Sequence, residues 1–184
     1  LMIDTTSNNG AHLRFRKDGS NQHFVGSGGG FSLGDKEDLS FRAYDNLLFA
    51  TGNSSTERMR ISSEGYVTKP NQPSFHAVRT AGDVSGNNYV VFNRVDHNNG
   101  SHYNNSDGKF TAPVTGVYFF SCYHFTNSTS AIRLNINGSQ FGAYHWDDTG
   151  GCATWVAPMT AGQYAQIYTV SSVSYTHLTL PTNA

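Results

Sequence analysis

The side chains best suited to bind a metal are eight histidines and one pair of neighbouring aspartates. No two histidines have the H-x-x-x-H spacing of paired metal ligands, so the sequence does not predict a zinc site. Asp147 and Asp148 precede Thr149-Gly150-Gly151, and this segment offers the hard oxygen atoms that calcium prefers. Calcium is therefore a candidate ligand, and a solvated loop is the alternative interpretation. We predict no other cofactor.

Motifs for nucleophilic catalysis and for phosphate binding do not occur in the sequence. There is no G-x-S-x-G pattern, and the glycines at 28–30 are not followed by Lys-Ser/Thr. Most aspartates lie among turn-forming residues, where Asp is favoured for conformational reasons. We therefore predict that the protein is not an enzyme. A glycan depolymerase with two carboxylates on separate strands is kept as a third hypothesis.

The two cysteines, Cys122 and Cys152, allow two interpretations. In the first, both are free thiols in the core, where cysteine is a common small apolar residue. In the second, they form a cross-strand disulfide, which requires their two strands to be neighbours.

The composition predicts a protein of many short strands. Charged residues make up 14% of the chain and aromatic residues 13%, and there are 19 glycines. Aromatic side chains set among turn formers favour β-structure. The formal net charge of −1 gives no basic surface for nucleic acid, and no apolar run is long enough to span a membrane. We predict neither nucleic-acid binding nor membrane insertion.

The chain divides at a short linker, residues 69–73, which Pro70 and Pro73 exclude from helix and central strand. Residues 1–68 contain alternating segments of about four residues separated by turn clusters, which is typical of a stalk that gains stability from identical chains. A flexible region is the alternative. Residues 74–172 hold stronger strand signals and are typical of a sandwich or jelly roll.

One predicted strand carries information about assembly. Residues 117–120 are apolar at every position, whereas a strand with one solvated face alternates apolar and polar side chains. One face of this strand enters the core, and the other requires a cover that a single sandwich does not supply. Self-association through this sheet is our hypothesis.

The stretch Phe110-Thr111-Ala112-Pro113, followed by residues 116–120, is similar to the signature of the C1q domain, and the resemblance covers residues 72–171. It implies an all-β, C1q/tumour-necrosis-factor-like jelly roll of ten strands that assembles as a homotrimer. It also implies that the strands of Cys122 and Cys152 lie side by side. The residues that it assigns to the core and to trimer packing are Phe75, Phe92, Phe110, Pro113, Gly116, Tyr118 and Phe120.

Two further segments of the chain resemble sequences outside the C1q family. Residues 45–67, with a tight turn at Glu64-Gly65, look like a segment of bacteriophage tail-fibre proteins. Residues 173–182 are similar to the translation of a sequencing adapter. We therefore interpret residues 173–184 as foreign, which predicts that the jelly roll stops before its last strand. The alternative is a genuine alternating strand.

These features predict a non-enzymatic trimeric adhesion module in a virion tail, where it binds a host surface glycan or protein. The alternative is a secreted cellular C1q-like protein that acts as a lectin or ligand. Exposed loops rich in aromatic and amide side chains suit the stacking and hydrogen bonding of carbohydrate recognition. The candidate binding residues are Asn99, His102, Tyr103, Tyr144, Trp146, Asp147 and Asp148.

Overall fold

A computed structural model describes residues 11–27, 35, 37–80, 82–126, 129–147, 149–170 and 175–180. These residues form only strands and connecting segments, which confirms the predicted all-β class. None of them belongs to a helix that could cross a membrane. The chain consists of two compact units, with the division between Pro70 and Asn71.

The N-terminal unit contains two three-stranded antiparallel sheets. The first is formed by β1 (His12–Lys17), β2 (Ser20–Ser27) and β3 (Leu39–Arg42). The second is formed by β4 (Leu47–Thr51), β5 (Thr56–Ile61) and β6 (Val67–Thr68). A two-residue turn at Asp18-Gly19 joins β1 to β2, and both residues have positive φ (51° and 77°), which matches the twist of a tight hairpin.

The C-terminal unit is a sandwich of a five-stranded and a six-stranded sheet. The five-stranded sheet has the order β15-β12-β17-β7-β9, and the six-stranded sheet has the order β10-β11-β16-β13-β14 with β8 paired to β16. Their strands are β7 (Ser74–Val78), β8 (Asn88–Tyr89), β9 (Arg94–Asn99), β10 (Tyr103–Asn104), β11 (Lys109–Thr111), β12 (Gly116–Phe125), β13 (Ser130–Ile136), β14 (Ser139–Asp147), β15 (Gly150–Met159), β16 (Tyr164–Thr169) and β17 (Tyr175–Leu180).

The core between these two sheets is built around stacked aromatic rings. The ring of Phe75 stacks on Tyr103 at 4.7 Å and on Phe110 at 5.3 Å, and Phe110 meets Phe120 edge to face at 5.6 Å. Leu134 and aliphatic side chains of β16 complete this layer. Aromatic pairs of this geometry add stabilisation beyond the apolar area that they bury.

Asn-Gly is a strong two-residue hairpin signal, and the hairpin between β13 and β14 forms at Asn137-Gly138 with positive φ at both residues (49° and 81°). The aromatic and β-branched residues at 89–92 predict a strand, but only Tyr89 of that segment pairs in a strand. Val90 and Phe92 are still buried. The backbone of Phe92 bonds to the Tyr103 hydroxyl instead of to a neighbouring strand.

The segment that we interpret as foreign contains a strand in the structure. The central strand β17 pairs with β12 on one side and with β7 on the other, and Leu178 is buried in the core. The sheet is therefore continuous where we expected a missing strand. The physical reason is that Leu178 lies opposite Cys122 and Ala77 on the core side and fills the space between them. The DNA origin of residues 173–184 stays a prediction.

Candidate functional site

The β12–β15 pair has an outward surface that we call the apolar face. In a strand, successive side chains point to opposite sides of the sheet. Tyr118, Phe120 and Cys122 point into the core, so the residues between them point outward. The apolar face consists of Val117, Phe119, Ser121, Tyr123 and Phe125 of β12 and Cys152, Thr154, Val156 and Pro158 of β15.

The register of the two strands makes this face continuous. Val117 lies opposite Pro158, and Phe119 lies opposite Val156. Val117 and Val156 are 63% and 62% exposed, although both are aliphatic. None of the nine side chains of the face carries a charge. The second apolar side expected for residues 117–120 is thus confirmed, and no other part of the described chain covers it.

A cavity of about 310 Å³ lies at one end of the apolar face. Its lining comes from the start of β12 and the end of β15 and includes Val117, Pro158 and Met159. The cavity extends the face with further apolar surface. A partner that covers the face therefore has a recess in which to seat a side chain.

The contribution of β15 to the face is missing from the sequence-based prediction. Residues 153–159 alternate between buried and exposed side chains, and the exposed positions include Val156 and Pro158. Apolar residues at the alternate positions that face solvent are the signal that identifies this second strand. Reading it requires the register between β12 and β15, which the sequence does not provide.

The seven residues assigned by the C1q resemblance lie in or beside the core. Five aromatic residues among them are buried. Pro113 is half-buried, and Gly116 opens β12 next to the Tyr118 ring. The buried residues are Phe75, Phe92, Phe110, Tyr118 and Phe120.

The candidate binding residues near the β9–β10 turn make structural contacts within the chain. Tyr103 is buried, so it is inaccessible to a ligand, and burial raises the pKa of its hydroxyl. Asn99 is half-buried and donates from Nδ2 to the backbone carbonyl of Gln72 at 2.7 Å. The ring of His102 packs over Gly100 and fills the space that a side chain there would take. The prediction of a binding loop is therefore wrong for Tyr103.

The second group of candidate binding residues lies at the end of β14. Tyr144, Trp146 and Asp147 belong to a strand paired with β13, so the backbone there is not a loop as predicted. Their side chains and all of Asp148 lie outside the described residues. The calcium prediction therefore stays a prediction. Among described residues, no three His, Cys, Asp or Glu side chains are grouped so as to hold a metal.

The two cysteines lie on neighbouring strands, as the resemblance implies, but on opposite sides of the sheet. The disulfide alternative is therefore wrong. The free-thiol interpretation holds, with only Cys122 in the core. Cys122 pairs with Ala153 and points into the core, whereas Cys152 pairs with Tyr123 and points outward. Both thiols are free, and Sγ of Cys152 lies 3.4 Å from the hydroxyl of Ser121. Burial raises the pKa of the Cys122 thiol well above its ordinary value.

Comparison with known proteins relates the C-terminal unit, which begins at Asn71, to one family, and we call this unit the C1q-like domain. Residues 74–151 match the family model of the C1q domain. The C1q-like domain is 37% identical over 75 residues to a complement C1q subcomponent of Mus musculus. It is 45% identical over 51 residues to complement C1q tumor necrosis factor-related protein 7 of the same species. These matches cover 40% and 27% of this chain, but only 30% and 17% of the two relatives.

A solved structure shares the fold of the C1q-like domain. The globular domain of zebrafish complement 1qA protein aligns with a TM-score of 0.55 at 17% sequence identity. The alignment covers 61% of this chain and 98% of the zebrafish domain. The jelly-roll architecture predicted from the signature residues is thereby confirmed.

Proposed function

We propose that the chain is a non-enzymatic recognition protein whose C1q-like domain assembles as a homotrimer through the apolar face and binds a target with its remaining surface. The main support for this proposal is the apolar face of β12 and β15, which the described residues of one chain leave exposed to solvent. Three identical domains bind a repetitive target with an avidity that one weak site does not reach.

The size of the apolar face supports this proposal. Taking 150–250 Å² for a whole aromatic side chain, the exposed parts of its apolar residues leave roughly 400 Å² in contact with water. Patches of this size on monomeric proteins are often functional. Its lack of charge also fits the core of a protein–protein interface, where charged residues are depleted.

The relatives favour a secreted protein over a virion component. The two relatives named above are a complement C1q subcomponent and a C1q-related protein, both of an animal. We therefore propose an extracellular location and a cell-surface or soluble target. The similarities found give no support to the tail-fibre or virion prediction, nor to a host glycan as the target. No observation on the described residues favours the glycan depolymerase.

The oligomeric state of the full chain tests the proposal. Light scattering coupled to size exclusion should give three times the 20.1 kDa chain mass at micromolar concentration. Phe119→Ser combined with Val156→Thr should lower the mass toward that of one chain, since both changes make the face polar. Val114→Thr is a matched control, because Val114 is an equally exposed valine outside the face. A wild-type protein of single-chain mass across that range would refute the proposal.

A further inference from the structure

The β1–β3 sheet of the N-terminal unit has one apolar and one charged face. Leu13 lies opposite Val25, and Val25 lies opposite Phe41, so all three point to the same side. Phe15 and Leu39 join them, because each lies two residues along its strand. The apolar side of this sheet therefore spans all three strands.

The other side of the β1–β3 sheet is cationic. Arg14 lies opposite Phe24, which lies opposite Arg42. The guanidinium of Arg42 stacks over the Phe24 ring at 5.5 Å. This side therefore differs from the first in carrying charged side chains on two of its three strands.

The β4–β6 sheet also has one side formed by apolar residues. Phe49 lies opposite Met59, and Ile61 lies between Leu47 and Val67. These five residues share one side of the sheet. On the opposite side, Arg60 lies between Leu48 and Thr68 and forms a bidentate ion pair with Glu57, with N–O distances of 2.6–3.2 Å.

Neither apolar side is fully covered by the described residues of the same chain, although Val25, Leu47, Met59 and Ile61 are half-buried. Phe15, Phe41 and Phe49 are 53%, 57% and 49% exposed. At 150–250 Å² for a whole aromatic side chain, these three rings alone leave roughly 300 Å² in water. None of the described side chains of this unit is fully buried. Short two- and three-stranded sheets need a packed apolar face for independent stability, and the described residues of this unit supply no such core.

We infer that the apolar sides of the β1–β3 and β4–β6 sheets pack against the same strands of neighbouring copies of this chain, and that the N-terminal unit is ordered only in the assembly. This inference rests on the trimer proposed above. Only residues 69–73 separate β6 from β7, so assembled C1q-like domains hold identical N-terminal units at millimolar effective concentration. Second copies therefore meet these faces ahead of any partner free in solution.

Hydrogen exchange measured by mass spectrometry on the full chain tests the inference. In the wild-type trimer, amides of β1 to β6 should exchange at least tenfold more slowly than in the Phe119→Ser, Val156→Thr variant. Phe15→Ser combined with Phe41→Ser should remove this protection while light scattering still reports a trimer. Arg14→Ser combined with Arg42→Ser is the matched control on the same strands, and it should leave the protection intact.

The second sheet offers an independent pair of variants. Phe49→Ser should remove the protection of β4 and β5, whereas Leu48→Ser alters the opposite side and should not. Equal effects within either pair would overturn the inference, as would equal protection in the trimer and in the dissociated variant. A wild-type chain that is monomeric would overturn the proposed function as well. A trimer with unprotected N-terminal strands would overturn only the inference.

Discussion

Tyr103 stabilises the C1q-like domain through a hydroxyl group that both donates and accepts a hydrogen bond. It accepts from the backbone N–H of Phe92 at 3.1 Å and donates to the backbone carbonyl of the same residue at 3.2 Å. Phe92 has no strand partner among the described residues, so this side chain replaces a strand in satisfying its buried backbone. The hydroxyl is thus part of the architecture.

Replacing this hydroxyl gives a prediction at the residue scale. Tyr103→Phe leaves two buried backbone groups unpaired and should lower the free energy of unfolding by about 1–3 kcal/mol. Urea denaturation at neutral pH measures the change. Tyr168→Phe is the control, because the Tyr168 ring lies on the solvent side of its sheet against Tyr89 and Arg133. Equal losses in the two variants would show that the paired hydrogen bonds contribute nothing.

The pKa of Tyr103 adds a pH dependence to the same variant. Burial raises the folded-state pKa above the ordinary value of 10.0, so at higher pH the unfolded chain loses this proton first. Stability contributed by Tyr103 is therefore complete below pH 10.0 and decreases as pH rises above it. The stability gap between wild type and Tyr103→Phe should narrow in that range.

Residue types alone reveal part of the site. The uninterrupted apolar segment at 117–120 is visible in the sequence and predicts the exposed Val117 and Phe119. Whether Cys122 and Cys152 face each other depends on strand register, and a shift of one residue moves a side chain to the other side of the sheet. Register is fixed by long-range pairing between strands that are distant in the chain, which local patterns do not encode.

At the scale of elements, turn chemistry is the most predictable feature. Asp-Gly is a strong turn signal, and the turn at Asp107-Gly108 forms with φ of +74° at Gly108. A side chain at this glycine would lie 2.6 Å from the carbonyl oxygen of Val90, so close approach of backbone reinforces the conformational requirement. The length of the strand at 89–92 is less predictable, because a side chain takes the hydrogen bonds that a neighbouring strand would otherwise make.

The strand β17 is the element on which sequence and structure differ most. Its residues form a central strand between β12 and β7, so neither of these two strands has an open edge at that side. Leu178 packs in the core beside Cys122 and Ala77. Whatever its origin, a segment that alternates apolar and polar residues meets the requirements of this position, because they concern only periodicity and side-chain volume.

The contribution of this strand gives the prediction at the element scale. Leu178→Ala should lower the free energy of unfolding of the C1q-like domain by about 2–5 kcal/mol, the range for deleting a buried leucine side chain. Thr179→Ala is the control, since Thr179 is half-buried on the other side of the strand and bonds only weakly to Ser121. Thermal unfolding followed by circular dichroism compares the two. If Leu178→Ala behaves like its control, the strand does not contribute to the folded core.

At the scale of the whole molecule, both units expose apolar sheet surface that the described residues of one chain do not cover. In the C1q-like domain this surface lies on β12 and β15, and in the N-terminal unit it lies on both three-stranded sheets. The sequence predicts assembly of the C-terminal unit from four consecutive apolar residues, and assembly of the N-terminal unit from short alternating strands. It does not predict the target, because target recognition depends on how exposed side chains are arranged after folding and assembly.

The reaction rate of the Cys152 thiol reports on assembly of the C1q-like domain. Cys152 is exposed on the apolar face beside Tyr123, whereas Cys122 is buried and its thiol pKa is raised. The thiolate is the reactive form, so a dilute chain should offer one fast-reacting thiol to a disulfide reagent and one slow thiol. As the concentration rises and the trimer forms, the fast thiol should become at least tenfold slower, because its face is covered.

Two variants separate assembly from local chemistry in this measurement. The Phe119→Ser, Val156→Thr protein should keep the fast rate at every concentration, since its face stays open. Cys152→Ser should abolish the fast phase and leave only Cys122, which reacts on unfolding. A fast rate that does not change while light scattering shows a trimer forming would place the interface elsewhere on the domain. A rate that falls together with the dissociated fraction would place Cys152, and with it the β12–β15 face, inside the assembly.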